Sequence, residues 1–188
     1  EMQTEYGERL HLLERAGKLG LGTAYIAAFK WALERDYEAI FEMDCDFSHN
    51  PDDLLRLASS LEAGFDVAIG SRYCKGVNVV NWPMSRLLIS YFASKYVRTI
   101  TRMPVNDATA GFVGYRREVL ERMNLDGVRM IGYGFQIEMK YTAWKLGFSI
   151  EELSIIFVDR TAGTSKMSSG IFGEAFWGVL KLPWRKIK

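Results

Sequence analysis

Only two cysteines, Cys45 and Cys74, occur among the 188 residues, and no CxxC spacing is present. That excludes a disulfide framework and makes a reducing compartment the expectation. No run of about 18 apolar residues exists, so no segment is expected to span a bilayer. Glu1 to Glu5 lacks the basic and apolar regions of a secretory leader, so none is expected here. Repeats, low-complexity tracts and linkers are likewise missing, which leaves one folding unit. With 48% hydrophobic and 25% charged residues, the composition is that of a soluble globular domain. A chain of this length hides roughly two-thirds of its unfolded surface and needs neither metal nor disulfide to hold it together.

Net charge is also nearly absent, at +1, but the order of the charges is far from even. Between Asp36 and Asp53 there are seven acids and no Lys or Arg. Between Ser71 and Asn106 there are six bases and no acid, and from Arg160 to Lys188 there are six bases against the single acid Glu174. One pole suits a cation, and the other two suit phosphates or an anionic surface.

Strand and helix signals alternate. Thr23 caps a helix that runs to Leu33, and Glu38 to Met43 is a short buried strand ending at acids. Asn50-Pro51-Asp52-Asp53 starts a helix to about Leu61, closed by Gly64. Asp66 to Gly70, Ala110 to Tyr115 and Phe148 to Val158 are further strands; Met84 to Met103 and Phe135 to Leu146 are helices. A short edge strand at 9–13 is an additional possibility. The pattern predicts an α/β domain with a largely parallel, Rossmann-like sheet. Four convincing strands are few for such a sheet, so its first strands are expected to be missing. Residues 1–170 form the domain, and 171–188 form an amphipathic segment whose Trp177, Trp184, Lys181, Arg185, Lys186 and Lys188 suit a membrane interface, or else a helix packed on its own domain.

Asp44-Cys45-Asp46 stands just past a buried strand, where open α/β sheets bind ligands. Carboxylates two residues apart point to opposite faces of a strand, yet a turning backbone aims both into one crevice. Such oxygen donors suit Mg²⁺ or Mn²⁺, whose remaining positions go to water and substrate phosphates.

Several motifs now combine: Asp44-Cys45-Asp46-Phe47-Ser48-His49-Asn50-Pro51, Gly70-Ser71-Arg72-Tyr73, Trp82 with Arg86 and Ser90, Asp107-Ala108-Thr109-Ala110-Gly111-Phe112, and Asp159-Arg160 with Ser165-Lys166. Together with Arg15 to Ala24 they resemble the dolichyl-phosphate (polyprenyl-phosphate) mannosyltransferases, inverting glycosyltransferases of the GT-A fold. The resemblance covers about Arg15 to Lys166, without the family's first strand and the acid-ended second strand that hold base and ribose. It implies that Asp44 and the Cys45 backbone lie along the nucleotide, that Asp46 holds the divalent cation with Ser48 as a further ligand, and that Arg160 and Lys166 reach the donor diphosphate. It further implies that Arg72, Arg86 and Ser90 hold the acceptor phosphate, so that Asp46, Arg72 and Arg86 carry the catalysis. Its partners are a sugar nucleotide such as GDP-mannose and a dolichyl or polyprenyl phosphate, at the cytoplasmic face of a membrane; no nucleic-acid polymer is expected.

Several residues have a plainer alternative. Asp107 either touches the acceptor or bridges to one of the arginines. Glu138 either faces the site or is a solvated helix acid, His49 is a hydrogen-bonding residue at a helix start rather than a ligand, Cys45 serves as a small residue, and Glu151-Glu152 solvates a strand edge. For the whole chain, the alternatives are a transferase moving glucose or another sugar from a UDP-sugar, or a non-catalytic membrane-associated scaffold.

Overall fold

Alternating side-chain direction along one fully buried five-residue strand sets the architecture. In the computed structural model, which describes residues 5–17, 19–159 and 169–187, strand β2 (Val67–Ser71) is buried along its whole length. Val67 and Ile69 enter one apolar cluster and Ala68 enters the other, because successive side chains leave opposite faces of a strand. Helices must therefore cover both faces. Together with β1 (Ala39–Glu42), β4 (Val113–Arg116) and β5 (Ile150–Ser154), β2 forms a sheet in the order β1-β4-β2-β5. A second, two-stranded parallel sheet pairs β3 (Val79–Val80) with β6 (Phe157–Val158).

The helices are α1 (Leu21–Leu33), α2 (Asp53–Glu62), α3 (Met84–Thr101), α4 (Arg117–Arg122), α5 (Gly134–Lys145) and α6 (Ser169–Lys181). Leu57 and Leu61 of α2 pack under Ala68 and Phe112. On the opposite face, Phe29 of α1, Val97 of α3 and Phe135 and Met139 of α5 enclose Ile69, Val113 and Tyr115. Gly22 lets α1 approach α5: a Cβ there would stand 2.7 Å from Phe135 and 3.0 Å from the Met130 carbonyl.

The expected α/β architecture is present, with one strand reversed. β1, β2 and β5 run in one direction, while β4 lies between β1 and β2 antiparallel to both. The edge strand expected at 9–13 does not form; Gly7–Arg9 is a 3₁₀ turn and Leu12 and Leu13 are exposed. Thr23 is not a cap, since α1 has already begun. Its hydroxyl donates back to the carbonyls of Leu19 (3.0 Å) and Gly20 (2.9 Å), a bond open to Thr inside a first turn. The strand expected from Phe148 to Val158 divides at Ile155–Ile156 into β5 and β6, which join different sheets.

The C-terminal helix packs on the domain through Val179, and Leu182 just beyond it is buried too, while Phe176, Trp177 and Trp184 stay exposed. Arg185 does not face outward as expected. It turns in to the buried carboxylate of Glu138 and the Gly127 carbonyl. Lys181 and Lys186 are exposed, and Lys188 lies outside the described residues.

Candidate active site

Because β1 and β2 run the same way, the residues past their C-terminal ends meet on one side of the sheet. There a cleft of about 940 Å³ opens, lined by Asp44, Cys45 and Asp46 and by Arg72, Trp82 and Arg86. Five of the expected site residues thus line one cleft, as an acidic and a basic group. Asp44, Cys45 and Asp46 form the acidic one, and Arg72 and Arg86 line the basic one. Ser90 stands behind it, accepting a hydrogen bond from the Tyr73 hydroxyl at 2.8 Å. Arg160 and Lys166 lie outside the described residues.

At the acidic pole the backbone turns sharply. Phe47 has φ of 63° and an exposed ring, a left-handed conformation unusual for a bulky residue and typical of constrained functional turns. The turn brings Ser48 back onto Asp46, whose Oδ1 accepts from the Ser48 amide (3.1 Å) and hydroxyl (2.5 Å). Ser48 is buried, and its hydroxyl is turned onto Asp46. The Tyr25 hydroxyl donates to Asp44 at 3.4 Å. Burial, then the charges of Glu42 and Asp44, raise the Tyr25 pKa far above its usual value, so the phenol stays protonated. His49 packs edge-on against Phe112 and Phe157 beside the cleft, and burial lowers its pKa, so it is held neutral.

Two carboxylates lining an open cleft suit a hard divalent cation that completes its shell with phosphate and water. Among the described residues no three His, Cys, Asp or Glu side chains gather into a cluster that could hold a metal ion.

The basic pole rests on a buried acid, Asp107. The Arg72 guanidinium donates to both carboxylate oxygens of Asp107 (2.6 Å each) and to the Thr109 hydroxyl (2.9 Å), and the Arg72 amide donates to Asp107 at 3.0 Å. Burial alone would raise the pKa of Asp107; the adjoining Arg72 outweighs it and holds the carboxyl below its usual value. Of the two alternatives for Asp107, the bridge to an arginine is the one that forms. Asp107 is fully buried, so it reaches the cleft only through Arg72. Glu152 is not strand-edge solvation either: it accepts from the amides of Asn106 and Asp107 and fixes that loop. Arg86 lies over the Trp82 ring, 4.2 Å from its centroid, and donates to Asp159 at 2.6 Å. The buried Trp82 indole N–H has no acceptor among the described residues.

Between the poles runs a floor that sequence reasoning missed. Lys140, fully buried on α5, donates to the Ala110 carbonyl (2.6 Å) and to the backbone and side-chain oxygens of Gln136 (3.2 Å each). Beneath it lies buried Glu42, which accepts from the Tyr115 hydroxyl at 3.4 Å. Burial pushes Glu42 up to about 7 and Lys140 down to about 8, each opposed by the other's charge. Glu138 neither faces the cleft nor meets solvent. It accepts from the Arg129 and Met130 amides, 2.8 Å for the latter, and so shapes the loop carrying Ile131 to Tyr133 at the cleft edge.

A mixed α/β sheet with an acidic DxD turn and an arginine pair lining one cleft defines a nucleotide-sugar transferase class of site. Comparison with known proteins agrees. The model of glycosyl transferase family 2 matches residues 1–123. The chain is 45% identical over 177 residues to the polyprenol monophosphomannose synthase of Mycolicibacterium smegmatis, covering 92% of this chain and 67% of that protein. It is also 45% identical over 172 residues to the undecaprenyl-phosphate mannosyltransferase of Micrococcus luteus, covering 92% and 70%. The chain belongs to glycosyltransferase family 2.

Among solved structures, glucosyl-3-phosphoglycerate synthase from Mycobacterium tuberculosis superimposes with a TM-score of 0.63 at 15% identity, over 93% of this chain and 58% of that one. A complex of the same enzyme with Mn²⁺, UDP-glucose and glycerol 3-phosphate gives 0.59 at 14% identity, over 90% and 56%. The chain thus spans little more than half the length of these solved relatives, which share its GT-A fold.

Proposed function

We propose that this domain transfers mannose, with inversion, from GDP-mannose to a dolichyl or polyprenyl phosphate at a membrane surface. One observation carries the reading: a single cleft is lined by two carboxylates and two arginines, the groups that suit a donor diphosphate with its cation and an acceptor phosphate. The names of the relatives support the sugar and the acceptor class.

In this reading Asp44 and the Cys45 backbone lie along the nucleotide. Asp46, oriented by Ser48, would hold Mg²⁺ or Mn²⁺, which supplies positive charge against the departing diphosphate. Arg86, Arg72 and the Trp82 N–H hold the acceptor phosphate, and an Arg fork matches phosphate oxygens bidentately. A phosphate monoester is already deprotonated near neutrality, so the site needs no general base. The phosphate oxygen forms its bond to the anomeric carbon from the face opposite the leaving diphosphate. The electron pair of the breaking bond departs with the diphosphate, and the anomeric centre inverts.

The membrane side is supported by α3 and the C-terminal segment. Leu88, Ile89 and Phe92 are exposed on α3 near Lys95, and Phe176, Trp177 and Trp184 are exposed close by, Phe176 stacked on Tyr96 at 5.1 Å. No helix among the described residues is long and apolar enough to cross a membrane. Peripheral attachment at the cytoplasmic face is the arrangement we favour.

The test uses the native-length protein with labelled sugar nucleotides, a short polyprenyl phosphate and either metal. Mannosyl transfer from GDP-mannose, with the product anomer assigned by NMR, is expected. Transfer from a UDP-sugar alone would reassign the donor, and no transfer from any donor would remove the enzyme reading.

A further inference from the structure

Each arginine at the basic pole is met by a carboxylate, and the two pairs are built differently. Asp107 is fully buried and binds the Arg72 guanidinium through both of its oxygens. Asp159 gives Arg86 one 2.6 Å bond, and the two side chains are 26% and 28% exposed on the cleft wall. Both partners of this second pair have fixed roots. Arg86 lies in the first turn of α3 with its guanidinium over Trp82, while the Asp159 amide donates to Val80 (3.0 Å) and the Val158 amide to Ser48 (3.1 Å).

We propose that Asp159 is a placeholder anion: it occupies Arg86 until the acceptor phosphate arrives, yields it to that phosphate, and thereby sets how tightly the site takes phosphate monoesters. The proposal rests on the reading that Arg86 binds the acceptor phosphate. An ion pair whose two side chains are both partly open to solvent gains little net energy over its separate hydrated groups. A phosphate dianion, bonding the same fork through two oxygens, is the stronger partner, so the exchange runs toward the acceptor. The displaced carboxylate stays on the cleft wall and repels the incoming anion, which weakens every phosphate equally. A lipid-linked phosphate makes up that loss through its chain, whereas a small free phosphate has nothing to make it up with. Asp159 would therefore leave the ratio of the two affinities unchanged while holding soluble phosphates too weak to occupy the site, which the lipid-linked ones still fill. Arg72 cannot play this part, because its carboxylate is sealed from the cleft.

The test compares Asp159→Asn and Arg86→Gln in the native-length enzyme, with a short polyprenyl phosphate as acceptor and inorganic phosphate as competing anion. Asp159→Asn is expected to lower the acceptor KM about two- to fivefold, the range for losing one exposed charge interaction. It should lower the inhibition constant of inorganic phosphate at least as much and leave the donor KM in place. Asp159→Glu, which keeps the charge, should return both constants toward the parent values. If Asp159 merely braced Arg86, the Asn variant would raise the acceptor KM; a raised or unchanged value overturns the proposal. Arg86→Gln separates the two levels. If it leaves the acceptor KM unchanged, the reading of Arg86 itself fails; if it raises that KM while Asp159→Asn does not lower it, only the placeholder role fails. Should the Asn variant not fold, Asp159→Ser is measured and judged in the same way.

Discussion

Arg72 and Asp107 stand 35 residues apart in sequence and meet as a buried pair: two guanidinium bonds of 2.6 Å and one from the Arg72 amide converge on a single carboxylate. Removing one partner of a buried pair strands the other, typically at about 3–5 kcal/mol. Asp107→Ala is expected to lower stability by that order, read as a shift of the denaturant midpoint. It should also raise the acceptor KM, because Arg72 loses its orientation. A midpoint that barely moved would mean the pair contributes little to the fold.

The same pair sets an acid limit. Arg72 depresses the Asp107 pKa below its ordinary value against the contrary push of burial. A carboxyl with a depressed folded pKa contributes stability above its unfolded pKa, near 3.9, and loses it as pH falls through the lower folded value. Stability should therefore drop in a window below about pH 4. Asp107→Asn should flatten that limb, measured as unfolding free energy against pH. An equally steep limb in the variant would assign the acid loss to other carboxylates.

Much of this was legible from residues near one another in sequence. Asp44 to Pro51 combines a strand end, a DxD turn and a helix start within eight residues, so local signals placed the acidic pole. Val67 to Gly70 read as a strand because a fully buried strand is a continuous apolar run. The direction of β4 was not legible, since an apolar run is the same read either way. The acids that anchor loops were missed for a related reason. Glu138 and Glu152 look like surface residues until Arg185, the Met130 amide and the Asn106–Asp107 amides arrive from elsewhere in the chain. Lys140 was missed because its position on α5 says nothing of the Ala110 carbonyl it meets.

Ser48 and Asp46 should separate in mutagenesis. If Ser48 orients Asp46 from behind, Ser48→Ala removes one 2.5 Å hydrogen bond and leaves the carboxylate in place. The apparent affinity for Mn²⁺ should fall about tenfold, the usual scale for losing an orienting partner of a metal ligand. Asp46→Asn should instead abolish metal-dependent donor binding. Calorimetric titration of Mn²⁺ with the sugar nucleotide checks both. Equal losses would make Ser48 a direct ligand.

Lys140 offers a pH test of the cleft floor. Burial raises Glu42 to about 7, opposed by the charge of Lys140. Lys140→Met removes that opposition and should push Glu42 higher still. A carboxyl with a raised folded pKa contributes stability below its unfolded value and loses it as pH rises through the folded one. The variant should therefore unfold more readily as pH climbs from 6 to about 9, over a range where the parent changes less. It also leaves the Ala110 carbonyl unpaired, so the acceptor KM should rise even at pH 6. Thermal melts and steady-state kinetics across this range decide it, and parallel pH profiles for parent and variant would exclude the coupling.

Membrane attachment should divide into an aromatic and a basic part. Trp177 and Trp184 are 62% and 79% exposed, far more than a helix buried only against its own domain would leave them. Indole rings at such positions favour the headgroup layer, where the apolar ring and the polar N–H are both accommodated. Removing both, in Trp177→Ala with Trp184→Ala, should weaken binding to vesicles about tenfold or more, given roughly 1.5–3 kcal/mol for burying one large apolar side chain. Lys181 and Lys186 are exposed at the same end and attract anionic lipid at about 1 kcal/mol each near the surface. Replacing them with Gln should remove most of the salt sensitivity on phosphatidylglycerol vesicles and change little on neutral ones. Arg185 should behave differently from its neighbour Lys186, because it is engaged with buried Glu138. Arg185→Gln should lower thermal stability while leaving the salt dependence of vesicle binding intact. If Arg185→Gln instead behaved like Lys186→Gln, the inward ion pair would not persist at the membrane.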